Sequence, residues 1–566
     1  MSGPAIIPFH SGKSEMLASE QPGELLYTLE QVPPNTGAGA GGAYAQGTPL
    51  TWTFKPANGK WWIPSESYLE VQMSVWGTTG DASPQVANLA RNINGADTNS
   101  LQSVAPLAPA CLFDSMTFEC NGKTIESITT NVAQHTALRW RLSNRSEQRA
   151  SGKDCLFGEP ERIAPAAAPA YPTAAQAAAA GVTRDVLDST DAVATGNVAY
   201  VNNTIAAVAA NARSAACPIS IGTQQMPVTQ SSWDRQAVFA LSRKQTLTFR
   251  LPFAIMHQNL PVPSGNFRIT AQVSNQLSRA LQTLTDSGAT AGPPVAYSSI
   301  INSATAGATA VQIQVNNLDF YAAYADYGSS GLYNGQLVIP TNPVWLSSYA
   351  LSTSSNTDQF TITGLPPTAV RYGVALQRAS ANSGLYNHAC SPTEFQVARA
   401  IGRNGCPPNP SIVAGAQNPI FALTTLQCTI GGRVAPQPQA RLAYSSAENN
   451  MHKWYRRFSD ASGLEEPEEF EQWLARGPCY MFPSLQIKSP DDRATDMVVR
   501  MERDATAAAV GSDAAAAGAV DVASYAVPTN ALIFAVAEKA LVCECRGGEI
   551  VDVTEIDRQS RRSKFR

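Results

Sequence analysis

The sequence predicts an all-β fold organised as two consecutive β-sandwich domains. Three observations carry this: period-two alternation wherever a pattern exists, hairpin turn chemistry between alternating runs, and an internal echo about 310 residues apart. A chain of 566 residues is long enough for several domains, each with a full core.

The elements follow in order. From Leu69 to Val75 the apolar Leu69, Val71, Met73 and Val75 alternate with Glu70, Gln72 and Ser74, which sets one strand face on a core and one toward solvent. Asn121-Gly122, between Met116–Cys120 and Thr124–Glu126, predicts a type I′ hairpin, because both residues tolerate positive φ. Asn131 to Leu142, with Ala133, Ala137 and Trp140 on one side, predicts a short helix. Residues 151–230, rich in Ala, Pro, Asn, Thr and Ser, have no period and predict a long excursion from a sandwich. Alternation resumes in Leu247, Phe249 and Leu251, in Phe267, Ile269, Ala271 and Val273, and in Val311, Ile313 and Val315.

The echo links two units. Leu112-Phe113 leads to Cys120, a Gly turn and a helix containing Trp140; Ile420-Phe421 leads to Cys428, Gly431-Gly432 and a helix containing Trp454. Further helices are predicted over 445–458 and 467–475. A second excursion covers 503–527, and Arg546-Gly547-Gly548-Glu549 predicts a last hairpin. Its strands place Cys543 and Cys545 on one face, and Val551 and Val553 on one face. The domain boundary is expected in the Ser/Thr/Gly/Pro stretch after 285. The expected parts are an N-terminal arm 1–45, a first domain 46–285, a second domain 286–556 and a basic tail 557–566.

Charged residues are only 15% of the chain, where about 25% is usual, so much of the surface is expected to lie against other chains. A net charge of −4 excludes a global electrostatic footprint for nucleic acid or anionic membrane. Met1-Ser2-Gly3-Pro4 lacks the basic and apolar segments of a secretory leader, and no apolar run reaches membrane-span length. The ten cysteines lack metal spacing and read as reduced core residues in an intracellular setting.

The chemistry-bearing patterns are sparse. His10, His135, His257, His388 and His452 form no metal or catalytic spacing. Gly12-Lys13-Ser14 resembles the end of a phosphate-binding loop, but Ile7 stands where its first glycine is needed. Glu465, Glu466, Glu468, Glu469 and Glu471 could supply an acid and a base for glycoside hydrolysis, yet acidic residues in a first helical turn complement its dipole. Trp52, Trp61 and Trp62 are either a stacking platform or core. No enzyme activity, catalytic residue, metal site or cofactor is therefore expected. Arg558, Arg561, Arg562, Lys564 and Arg566 form the one local basic patch, a genome-facing tail or a solvated anchor.

Several segments resemble the double jelly-roll major capsid proteins of virophages, Polintons and polinton-like viruses. They are Ile63-Pro64-Ser65-Glu66-Ser67-Tyr68-Leu69-Glu70-Val71, Val104-Ala105-Pro106, Leu112 to Lys123, and Phe249-Arg250-Leu251-Pro252-Phe253. Leu260-Pro261, Phe267-Arg268-Ile269-Thr270, Leu426 to Gly432 and the aromatic helix around Trp454 complete the set. The resemblance implies two eight-stranded jelly rolls in one chain. It also implies homotrimeric, hexon-like capsomers tiling an icosahedral shell with penton and minor capsid proteins, a virion capsid location with assembly inside the host cell, and long loops as towers or clasps. The alternative from another class is a carbohydrate-binding or carbohydrate-active β-sandwich protein.

Overall fold

The computed structural model describes residues 27–39, 43–57, 59–79, 107–143, 245–258, 260–283, 308–327, 331–352, 355, 357–366, 369–377, 423–430, 433–441, 451–462, 478–482, 496–503 and 530–557. Short pieces at 9–10, 13–14, 84–86, 102–104, 217–221 and 224–228 and the single residues 393, 395, 470 and 473 complete the set.

Eight strands build the first sandwich: β1 (Tyr27–Val32), β2 (Pro49–Phe54), β3 (Tyr68–Thr79), β4 (Phe113–Cys120), β5 (Lys123–Ile128), β6 (Gln245–Phe249), β7 (Phe267–Val273) and β8 (Ala308–Asp326). One sheet runs β6-β3-β8-β1, with short strands Lys60–Trp62 on β8 and Pro84–Val86 on β3, and the other runs β5-β4-β7-β2, with antiparallel pairing throughout. The alternating runs set the faces: Leu69, Val71, Met73, Phe267, Ile269, Leu247 and Phe249 are all buried. Phe54, Trp62, Phe118, Phe267 and Phe320 meet between the sheets, with ring centroids 4.8 Å apart for Trp62–Phe267 and 5.2 Å for Phe54–Phe320. Trp52 crosses the gap, its Nε1 donating to Leu318 O at 3.0 Å.

After β9 (Gly335–Thr341), a second set repeats the first: β10 (Val344–Ala350), β11 (Thr357–Ile362), β12 (Ala369–Gln377), β13 (Leu423–Ile430), β14 (Arg433–Arg441), β15 (Cys479–Met481), β16 (Met497–Arg503) and β17 (Asn530–Ala537). Its sheets run β10-β17-β12-β15 and β11-β16-β13-β14. Numbered within its own sandwich, each strand has the same neighbours in both halves. A helix follows the fifth strand each time, α1 (Val132–Ser143) and α2 (Met451–Ser462). The chain closes with β18 (Lys539–Arg546) and β19 (Glu549–Asp557), which join β9 in a sheet ordered β9-β18-β19.

Three expectations are corrected. The first sandwich does not end at 285: β8 pairs along β3 from Ala308↔Thr79 to Tyr321↔Tyr68, so 308–326 belongs to the first sheet by hydrogen bonding. It does not begin at 46 either, because β1 pairs with β8 through Phe320↔Val32. In β19, Val551 and Val553 do not share a face. Register passes from Cys545↔Ile550 to Glu544↔Asp552, and the extra residue turns Val551 outward at 52% exposure while Val553 stays buried.

The hairpin readings agree with the backbone. Asn121 and Gly122 have φ 49° and 76°, and Gly547 and Gly548 have φ 60° and 81°. Cys120 closes the fourth strand at the position that Ile430 takes in the second copy, since each pairs with the first residue of a seventh strand. Cys428 lies two residues earlier on the same face, so the echo was offset by one strand period. The excursion 151–230 carries a paired Cys217–Ile221 and Gln224–Val228 among its described residues; of the excursion 503–527, Arg503 ends β16 and the rest lies outside the described residues.

Candidate functional site: the seam between the two sandwiches

Among the described residues no group of metal-ligating side chains forms, and no helix is long and apolar enough to cross a membrane. The tryptophans weighed as a stacking platform are core: Trp52, Trp61 and Trp62 are 1%, 5% and 0% exposed. Glu465, Glu466, Glu468, Glu469 and Glu471 lie outside the described residues, as do Arg558, Arg561, Arg562, Lys564, Arg566 and His388. Lys13-Ser14 pairs with Phe9-His10 as two short strands. His452 is exposed and stacks on Phe470 at 3.7 Å.

What the fold does bring together is the seam where the halves meet. The β4–β5 hairpin of the first sandwich docks on β19. Asn121 Nδ2 donates to Ile550 O at 2.6 Å, while its Oδ1 accepts from Asn266 N at 2.9 Å. Lys123 Nζ reaches Asp552 Oδ1 at 2.5 Å and Val553 O at 3.0 Å, and its hydrogen bond holds the Asp552 carboxyl below its usual range. Ile550 N donates to Ser264 O at 2.7 Å beside a parallel bridge between Ser264 and Glu549. Glu549 also pairs with Lys55 at 3.1 Å. Trp61 Nε1 donates to Gly331 O at 3.0 Å, ahead of β9.

Helix α1 makes the second half of the seam. Arg139 Nη1 donates at 2.5 Å to the carbonyl of Asn342, in the turn between β9 and β10. Its Nη2 lies 3.6 Å from Glu126 Oε1 on β5, and Glu126 Oε2 accepts from Ala254 N at 2.6 Å. Burial pushes the Glu126 carboxyl up, and the Arg139 guanidinium opposes that rise. Two residues further, Arg141 donates to Trp473 O at 3.4 Å and sits over the rings of Phe395 and Phe458 at 5.5 and 5.7 Å. Gln134 Nε2 reaches Gln377 Oε1 at 3.2 Å. Residues from both sandwiches belong to one continuous apolar cluster.

Two sandwiches, each with eight strands in the same order, four along the main path of each sheet, leave one description. The chain is a double jelly roll. The double jelly roll is similar in the solved structures to the Sputnik virophage particle seen by electron cryomicroscopy, with a TM-score of 0.46 and 10% identity over 94% of this chain and 88% of that one. It is similar to the mavirus major capsid protein, with a TM-score of 0.43 and 9% identity over 94% and 90% of the two chains. For the Faustovirus major capsid protein the values are 0.43, 11%, 91% and 90%. No family model and no curated protein matches the sequence.

The double jelly roll's hairpins and repeat are legible in the sequence, and the seam is not. In the sequence Asn121 marks a turn, and Glu126 and Arg139 belong to no motif; the one signal is that Arg139 and Arg141 flank Trp140 on a short helix. Apart from each other, Glu126 and Arg139 find partners 128 and 203 residues away, and Asn121 reaches Ile550 at 429, beyond any local pattern.

Proposed function

We propose that this chain is a structural capsid subunit that trimerises into pseudo-hexameric capsomers tiling an icosahedral shell around a viral genome. The observation that carries the reading is the duplication with a shared seam. Two like sandwiches tied by the β9-β18-β19 sheet and by α1 make one unit, and three such units would present six like sandwiches around an axis. The segment resemblance to double jelly-roll capsid proteins points the same way. In this reading the protein works by packing rather than by catalysis, and it acts in the virion capsid after assembly in the host cell. Its partners are its own copies, penton and minor capsid proteins, and genomic nucleic acid through Arg558, Arg561, Arg562, Lys564 and Arg566. The low charged fraction of 15% fits a surface largely covered by neighbours.

Light scattering on the purified chain, followed by electron microscopy, tests this. A stable particle of three chain masses, or shells, is the expected result. A monomer that stays monomeric at high concentration and salt would overturn it. The carbohydrate reading loses its platform because Trp52, Trp61 and Trp62 are in the core; glycan binding by a monomer would restore it. Removal of residues 557–566 should lower the salt-sensitive retention of nucleic acid by assembled particles if the tail faces the genome.

A further inference from the structure

Cys120, Cys543 and Cys545 are buried free thiols from opposite ends of the chain. Cys543 and Cys545 stand two apart on β18, and both are buried on the side where their register partners Val553 and Ile550 are also buried. Cys120 closes β4, and the next residue, Asn121, is hydrogen-bonded to Ile550 O at 2.6 Å. Gly265 marks the same place: a methyl on its Cα would lie 3.6 Å from Cys120 Sγ and 3.4 Å from Ile550 Cδ1. The thiols of the two halves therefore face one apolar space under the docked hairpin. Burial pushes Cys545 up to about 11, the least raised of the three, and burial together with the Cys545 sulfur pushes Cys120 up to about 12.

We propose that Cys120 and Cys545 form an oxidation site whose disulfide ties the first sandwich to the C-terminal hairpin. The oxidant is a small-molecule disulfide of the glutathione class. Cys545 gives up its proton and attacks one sulfur of the oxidant, forming a mixed disulfide and releasing one thiolate, which takes that proton. Cys120 then attacks the Cys545 sulfur and releases the second small thiol in the same way. One S–S bond breaks and one forms; the two cysteines are oxidised by two electrons and the oxidant is reduced by two. High thiol pKa values make this slow while the hairpin is docked, so the link forms when the seam opens and then keeps it from opening again. The inference stands on the seam geometry and holds for any quaternary state.

The test treats the full-length chain with oxidised glutathione, at the lowest urea concentration where iodoacetamide labels Cys545, and maps the digest by mass spectrometry without reduction. Expected is a peptide joining the Cys120 and Cys545 segments within one chain and lighter by about 2 Da than its parts. Cys543→Ser should keep it, Cys545→Ser should abolish it, and the oxidised wild type should melt higher than the reduced form. A Cys543–Cys545 link, glutathione adducts alone, links between chains only, or no link where Cys545 is alkylated would each overturn the proposal. The wild-type map decides even if Cys120→Ser does not fold.

Discussion

Asn121 Nδ2 donates to the carbonyl of Ile550 at 2.6 Å, joining residues 429 positions apart. The same asparagine holds a φ of 49° in the turn that presents it, so one residue sets both the hairpin and its docking. Asn121→Gly keeps the turn and removes the side-chain bonds, and should cost about 1–2 kcal/mol. Asn121→Ala adds left-handed strain and should cost about 1 kcal/mol more. Urea denaturation of the pair separates the two contributions; equal costs would mean that the left-handed turn contributes nothing, and an unchanged Asn121→Gly would mean that the seam bond contributes nothing.

Arg139 and Glu126 should behave as a coupled buried pair. Their side chains are only 5% and 12% exposed, and Arg139 also anchors Asn342 O. Arg139→Met leaves the carboxylate buried without its cation and should cost about 3–5 kcal/mol. The double variant with Glu126→Gln should cost less than the sum of the single variants, measured as a double-mutant cycle. Strict additivity would refute the coupling.

Gly373 on β12 has no room for a side chain. A Cβ there would lie 2.5 Å from the Phe534 ring and 2.7 Å from Met481 Sδ, both on neighbouring strands. Gly373→Ala should destabilise by about 1–3 kcal/mol through overpacking. Thermal melting of the variant, alone and with Phe534→Leu to make room, is the check; the second change should recover part of the loss.

Acid should weaken the seam. Burial, then Arg139, pulls His135 down to about 3, and burial, then Arg250 and Arg139, holds His257 well below its usual value. Both histidines are neutral when folded and titrate near 6.5 when unfolded. The stability they hold is therefore full above about pH 6.5 and lost progressively as pH falls toward their folded values. At pH 5.5 the loss is about 1.4 kcal/mol per histidine. Glu126 opposes this, since its raised carboxyl is relieved as pH falls. Denaturation midpoints from pH 8 to 5 should fall more steeply for Glu126→Gln than for wild type, and less steeply for His257→Gln.

Local pattern made much of the double jelly roll legible. Leu69-Val71-Met73 and Phe267-Ile269 alternate because each sheet has one face in the core, and Asn121-Gly122 and Gly547-Gly548 sit where φ is positive. These are properties of a few neighbouring residues, so they survive in one dimension. The basic tail and the Glu465 to Glu471 run were legible as charge alone, and they lie outside the described residues.

By itself the sequence determined strand faces, turns and the duplication, because period, φ preference and repeat are local quantities. Only the tertiary structure decided that β8 closes the first sandwich, that a bulge turns Val551 outward, and that Asn121, Lys123, Glu126 and Arg139 build a seam. The physical reason is that strand pairing satisfies backbone groups from any distance along the chain. A Ser/Thr/Gly/Pro stretch such as 286–294 therefore marks only a change of sequence pattern, while the hydrogen bonds that assign 308–326 to its domain are made with Tyr68–Thr79.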